Sequence, residues 1–303
     1  MRHLQDLELE ASEGLVAAVT PRAARTARRA PRLSVSRGVV YLVLTISLVV
    51  TLLPLAWMIL SSFKTQGDIL SDPTAWLPRH FTLENYGQWF GPLNIGQYFT
   101  NTLVVAGVTV AGNLLFCSMA GYALAKMEFR GRGLVFTLVL VTLMIPGVVT
   151  FIPMFVTVSK LGLLNTYASL FLPFLASPVG VFLMRQFIMG IPDSLIDAAR
   201  LDGAGEARIF IGIIMPLCRA PLATLAILTF LASWNNFLWP LVAAQGQNTY
   251  TLPIALSLFS VGQNATHYGL LLAGATLVIM PVVALFIALQ RHFTQSLVGT
   301  GIK

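Results

Sequence analysis

Six apolar runs constrain this chain more than anything else in it. They fall at roughly 38–60, 99–125, 134–156, 167–189, 219–242 and 268–290. Each is long enough to cross about 30 Å of hydrocarbon as a helix. Only 10% of the residues are charged, against about 25% in a soluble domain. Lipid offers no partner to an unpaired backbone group, so a run of this length is satisfied there as a helix. The predicted fold class is an all-α integral membrane protein with six transmembrane helices. Prolines interrupt the third run (Pro146, Pro153), the fourth (Pro173, Pro178) and the fifth (Pro221, Pro240). They predict kinks, whose freed carbonyls neighbouring helices can satisfy.

Basic residues orient the spans. Arg2, Arg22, Arg25, Arg28, Arg29, Arg32 and Arg37 precede the first run, and Lys126, Arg130 and Arg132 lie between the second and third. Arg185, Arg200, Arg208 and Arg219 surround the segment between the fourth and fifth, and Arg291 and Lys303 follow the sixth. The alternate segments hold only Lys64, Arg79 and Lys160. The positive-inside rule then places both termini, and the 190–217 loop, in the cytoplasm. The same rule accounts for a net charge of +7 without nucleic acid. The organisation read from this is a basic, unstructured cytoplasmic tail at 1–37, a six-helix permease domain at 38–290 and a cytoplasmic C-terminal tail at 291–303. The long basic region ahead of the first run is unlike a cleaved signal peptide.

Several chemistries are excluded. All twelve acidic residues lie outside the runs, from Asp6 to Glu206. Ion-coupled transporters need an ionisable group near the midplane. No G-x-x-x-x-G-K-[ST] loop is present to cradle ATP phosphates. No paired carboxylates or H-E-x-x-H occur in a span, so neither an enzyme nor a metal centre is expected. Cys117 and Cys218, far apart and outside any C-x-x-C context, read as packing residues. If solute crosses this chain by active transport, another chain must supply the energy.

The polar exception is the stretch from Pro192 to Pro216. Pro192 suits a helix start, and Asp193, Ser194 and Asp197 favour its N-terminal end. Gly203 is the expected residue just past its C-terminus. A second helix is predicted over about 206–214, with Pro216 opening the next span. Ala198 and Ala199 permit close approach of a partner. Leu195, Ile196 and Leu201 would be apolar anchors, with Asp197, Arg200 and Asp202 as charged rim contacts. The residues allow two readings, a helix docked in a partner's groove or an interfacial helix lying on lipid.

The spacing Asp197-Ala198-Ala199, three residues, Gly203, nine residues, Ile213-Ile214-Met215-Pro216 resembles the Glu-Ala-Ala signature loop of ABC importer permeases. Asp replaces Glu at 197 and Met replaces Leu at 215. Trp57-Met58-Ile59-Leu60-Ser61-Ser62-Phe63-Lys64, Gly121-Tyr122-Ala123-Leu124-Ala125, Met144-Ile145-Pro146 and Trp234-Asn235-Asn236-Phe237-Leu238-Trp239-Pro240-Leu241 extend the likeness over about 39–303. They are similar to the carbohydrate-uptake branch, on the side of the maltose system's second permease (MalG-like). The resemblance implies the type I ABC importer permease fold in a bacterial inner membrane. It implies a cytoplasmic ABC ATPase dimer, a second permease subunit and an extracytoplasmic solute-binding protein as partners. ATP and magnesium would be used by the ATPase, with no cofactor on this chain. Asp197, Ala198, Ala199, Arg200, Leu201, Asp202, Gly203 and Pro216 would then couple ATPase closure to alternating access.

A sugar path needs amides for hydroxyls and aromatic faces for apolar sugar edges. The candidates are Asn235, Asn236, Trp234 and Phe237 near the fifth run's end, with Asn113 and Tyr122 in the second. Alternatively, a lone Asn is interhelical glue worth about 1 kcal/mol, and aromatics are interface anchors. Asn235 and Asn236 stand about 100° apart on a helix, so both cannot face one cavity squarely. A di- or oligosaccharide is the expected solute, with glycerol 3-phosphate or another polyol as alternative. A self-contained channel is the reading from a different class.

Overall fold

Every regular element in the described residues is helical. The computed structural model describes residues 37–259 and 267–299, with side-chain surroundings for 38–259 and 267–287. The N-terminal tail to residue 36, residues 260–266 and the last four residues lie outside them. The chain divides into two units, Met1–Leu52 and Leu53–Lys303. The described part of the first is the opening of α1 (Arg37–Ser61), which carries exposed apolar side chains such as Leu42, Val43 and Leu48.

In the second unit two short helices, α2 (Gln66–Ser71) and α3 (Glu84–Phe90), precede the long α4 (Ile95–Lys126). The segment between the first two apolar runs therefore carries two helices. α4 has no internal proline and is about 48 Å long at 1.5 Å per residue. After it come α5 (Arg132–Met144), α6 (Gly147–Lys160), α7 (Tyr167–Phe171) with a 3₁₀ turn at Leu172–Phe174, and α8 (Pro178–Met189). The polar loop holds α9 (Asp193–Leu201) and a second arm, made of α10 (Glu206–Ile209), a π-type segment (Phe210–Ile214) and α11 (Met215–Leu217). Then follow α12 (Arg219–Trp234), α13 (Leu238–Ala243), α14 (Leu252–Phe259) and α15 (Tyr268–Gly299).

Three of the six expected spans are long apolar helices, Gly38–Ser61, Ile95–Lys126 and Tyr268–Ile287. Three further crossings exist if each bent helix pair counts as one. The third run is two helices meeting at 105°. Pro146 lacks an N–H and drives the preceding Ile145 to extended geometry (φ −83°, ψ 118°), so the helix stops there. At 13 and 14 residues, neither half alone reaches the ~20 residues a crossing needs. The fourth run bends by 42° where Ser177 caps α8 ahead of Pro178. The fifth differs most. α12 ends at Trp234, not near 242, and its long bent partner is the Glu206–Leu217 arm, at 81°. Pro216 lies within that arm, and the break comes at Cys218 (φ −88°, ψ 17°). The C-terminal tail from 291 is the unbroken continuation of α15 as far as Gly299.

α4 is the axis of the second unit. A methyl group on Gly121 would lie 2.8 Å from Met184 Cβ and 2.9 Å from Arg185 N, so α4 and α8 touch nearly backbone to backbone. Asn101, fully buried, donates to Asn248 O (2.9 Å) and Tyr250 O (2.8 Å) and accepts from Gln97 and Tyr167. That satisfies the amide fully, as burial demands. The buried indoles are also paired, with Trp89 donating to Leu270 O, Trp234 to Val278 O and Trp239 to Ser169 O.

Candidate functional site

The polar loop is an ordered helical hairpin. Pro192 sits at the N-cap of α9 with extended geometry (φ −59°, ψ 132°), and Asp202 is the C-cap. Gly203 follows at φ +80°, a left-handed conformation that only glycine adopts cheaply. Its N–H donates to Arg200 O at 3.0 Å, and Ala204 N–H to Ala199 O at 2.9 Å. These two bonds form a Schellman motif, which satisfies the last carbonyls of α9.

α9 is amphipathic. Ile196 points inward and is buried with Ile188, Ile209 and Ile214. It is therefore not the exposed anchor expected from sequence. At 3.6 residues per turn it shares a face with Ala199, which is half-buried against the same cluster. Asp197, Ala198, Leu201, Asp202 and Gly203 face outward, and Leu201 is 89% exposed. A leucine this exposed beside a small residue gives the hairpin an apolar outer tip. Pro216 is also exposed, on the second arm.

Side chains tie both arms to the end of α4. Lys126 Nζ donates to Asp193 Oδ1 at 2.6 Å, to Ile191 O at 2.5 Å and to Met189 O at 3.4 Å. This hydrogen bond, and then the ammonium charge, hold the Asp193 carboxyl below the usual carboxylate range. One turn earlier on α4, Tyr122 OH donates to Glu206 Oε2 at 2.5 Å. Glu206 Oε1 accepts from Arg200 Nε at 3.0 Å, and Arg200 Nη1 reaches Asp197 Oδ1 at 3.4 Å. These Arg200 pairs are well exposed, so water and salt screen them and they add little to stability. The C-terminus of α4 is closed by Arg132, which donates to the carbonyls of Leu124, Ala125 and Met127, and by Arg185, which donates to Leu124 O. Cations at this end also suit the helix dipole. Sequence reading passed over Tyr122's partner, because 84 residues separate it from Glu206.

A second feature lies between α4, the bent α7–α8 pair and α12. A cavity of about 500 Å³ is lined there by Thr109, Asn113, Ser177, Thr229, Ser233 and Asn236, along with Phe174, Leu183, Leu225, Leu228 and other apolar residues. No charged residue lines it. Of the expected path residues the cavity takes in Asn113 and Asn236. Asn113 donates to Thr109 O and Phe174 O, which braces the turn after α7. Asn235 caps α12 and turns back to Leu231 O. Trp234 is fully buried away from the cavity, stacked on Phe230. Phe237 packs in the cluster around Trp239. Tyr122 belongs to the hairpin. Sequence reading missed Thr229 and Ser233. Their i, i+4 spacing puts both on one face of α12, and neither hydroxyl has a partner among the described residues. No cluster of three or more metal-ligating side chains occurs among the described residues.

The hairpin and its spans match a known family. Residues 117–299 fit the family described as the binding-protein-dependent transport system inner membrane component. The chain belongs to that family. It is a membrane permease subunit and not an enzyme. It is similar to the arabinooligosaccharides transport system permease protein AraQ of Halalkalibacterium halodurans, at 41% identity over 84% of this chain and 92% of the relative. It also resembles the diacetylchitobiose uptake system permease protein NgcG of Streptomyces coelicolor, at 34% identity over 82% and 83%. The sn-glycerol-3-phosphate transport system permease protein UgpE of Brucella abortus is 30% identical over 88% and 97%. A solved bacterial ABC transporter involved in import of the acidic polysaccharide alginate shares the fold of this permease, with a TM-score of 0.77 over 90% of this chain and all of the matched chain, at 23% identity.

Proposed function

We propose that this permease is the membrane subunit of an ATP-driven importer for an uncharged sugar, a di- or oligosaccharide. The 193–217 hairpin docks on a cytoplasmic ABC ATPase dimer, and both chain termini lie in the cytoplasm. A second permease completes the pathway and an extracytoplasmic binding protein delivers the sugar. ATP and magnesium are bound by the ATPase.

The observation that carries this reading is the hairpin itself. It is polar, capped and ordered, yet it ends in an apolar tip at Ala198 and Leu201. An interfacial lipid helix would turn its apolar side chains to the membrane together, whereas Ile196 of α9 is buried inside and the exposed Leu201 is followed directly by the exposed Asp202. The cavity supports the solute class. Its volume lies within the range of small-molecule sites, and amide and hydroxyl groups stand in it among apolar surfaces without charge. A phosphate-bearing solute would call for a cation, which weighs against glycerol 3-phosphate. The sugar-named relatives are consistent with that choice.

Affinity purification of the tagged chain from its own membranes, with mass spectrometry of stoichiometric partners, tests the proposal. A nucleotide-binding ATPase and a second permease are expected. Recovery of the chain alone, together with solute flux that needs no ATP, would replace the importer by a channel.

A further inference from the structure

The backbone is irregular on both flanks of the hairpin, while its side chains grip a third helix that is not adjacent to it in the chain. On one side α8 ends at Gly190 and the chain passes through Ile191 and Pro192 before α9 begins. On the other, the second arm contains the π-type segment Phe210–Ile214 and meets α12 at an 81° break. Pi-type turns and sharp kinks of this kind interrupt the regular i→i−4 ladder. Apolar packing still joins the hairpin to α8, since Ile196, Ile209 and Ile214 share a buried cluster with Met184 and Ile188.

Its grip on α4 is direct. Tyr122 and Lys126 are four residues apart on one face of α4. Tyr122 holds Glu206, on the second arm, and Lys126 holds Asp193, on the first. The hairpin is thus pinned at two points, one per arm, to a single unbroken helix of 32 residues. α4 in turn meets α8 nearly backbone to backbone at Gly121, and Asn113 braces the turn after α7 beside the cavity.

We infer that Tyr122 and Lys126 are positioning residues that make α4, rather than the loop's own flanking spans, the lever that carries hairpin movement to the solute cavity. This rests on the proposed ATPase docking and names how the motion would leave the docked loop. The Tyr122 hydroxyl is bonded to Glu206, and the Lys126 ammonium to Asp193 and the carbonyls of Met189 and Ile191. They act through Glu206 and Asp193. With both ties in place, displacement of the hairpin displaces the Lys126 end of α4, and with it Asn113 and Thr109 at the cavity wall. Without them, only the apolar cluster around Ile196 and the irregular flanks would link the hairpin to the spans, and hydrolysis would continue with less movement of the wall.

The test uses the assembled importer in proteoliposomes, with sugar uptake and ATP hydrolysis measured on the same sample. Y122F removes one hydroxyl and leaves the ring in place. K126M removes the ammonium, and K126R serves as the conservative rescue. Each of Y122F and K126M is expected to lower sugar transported per ATP by 3- to 10-fold, with hydrolysis retained, and K126R to recover most of the loss. The double variant should fall further than either single one. Independently, spin labels at Met119→Cys and Ala207→Cys, in a chain with Cys117 and Cys218 changed to Ala, report on the α4-to-hairpin distance. That distance should stay constant when ATP is added to the wild-type pair and change in the Y122F/K126M background. Wild-type transport per ATP in an assembled double variant would overturn the inference. So would a label distance that shifts with ATP while both ties are intact. Failure of unmutated chain to bind any ATPase would instead sink the proposed function, so the two failures are distinguishable.

Discussion

Lys126 and Asp193 form an ion pair of unequal surroundings, because the lysine side chain is 6% exposed and the aspartate 76%. The lysine is the buried member and makes two further bonds, to the carbonyls of Ile191 and Met189. Removing it leaves two backbone acceptors without their cation, whereas removing the aspartate charge costs one bond to a group that water can replace. Lys126→Met should therefore lower the thermal midpoint of the purified permease more than Asp193→Asn does. Hydrogen exchange should rise over residues 189–194 in the first variant and change little in the second. Equal effects in both variants would show that the carbonyl bonds contribute nothing.

The pH dependence of this pair has a definite sign. Asp193's carboxyl is held below its ordinary value by Lys126, so it contributes stability above about pH 3.8 that is lost as pH falls through its lower native value. Thermal midpoints of wild type and Asp193→Asn should keep a constant difference between pH 7 and pH 5. The difference should shrink only below about pH 3.8. A gap that closes between pH 7 and pH 6 would contradict this assignment.

Gly203 faces open space, with nothing within 4 Å of where a methyl group would stand. Any penalty there comes from its positive φ, about 1–2 kcal/mol for an ordinary residue. Gly203→Asn should be tolerated better than Gly203→Val, since Asn visits this region and β-branched residues do not. ATPase co-purification should fall in that order. A bulky Gly203→Trp should abolish transport by adding blockage to strain.

Gly121 presents the opposite case, with helical backbone and no room. Even alanine there would press on Met184 Cβ and Arg185 N, so Gly121→Ala should destabilise by about 1–3 kcal/mol, the usual cost of overpacking. Gly107→Ala, in the same helix with open space around it, should be neutral or stabilising. Thermal unfolding in detergent separates the two.

Thr229→Val and Ser233→Ala each delete a hydroxyl that lines the cavity and has no partner among the described residues. If solute fills the cavity, each loses a hydrogen bond worth about 1 kcal/mol, or a rise in apparent KM of about 5-fold. The kcat for uptake at saturation and the basal ATPase rate should hold. Uptake kinetics with saturating binding protein measure this.

Spans, prolines and the capped hairpin were legible in the sequence because each rests on local chemistry. Apolar length marks a span, Pro192 a helix start and Gly203 a helix end, and the 193–201 helix follows from neighbours in the chain. The inward turn of Ile196 needed the angular position of α9 on the protein, which its own residues do not encode. The Tyr122–Glu206 bond joins segments 84 residues apart, and nothing in either segment names the other. The third span shows a related limit. Pro146 announced a kink, but the 105° turn depends on how α5 and α6 pack. The cavity was half legible. Asn113 and Asn236 stood out as polar residues in apolar runs, while Thr229 and Ser233 are common enough in membrane helices to pass unnoticed.

The central claim is that the outer face of α9 binds an ATPase. A photo-crosslinking amino acid at Leu201, which is 89% exposed, tests it in native membranes. One dominant adduct with a nucleotide-binding ATPase is expected, with a yield that changes when ATP is added. Crosslinks to lipid alone, in membranes that still take up the sugar, would contradict it.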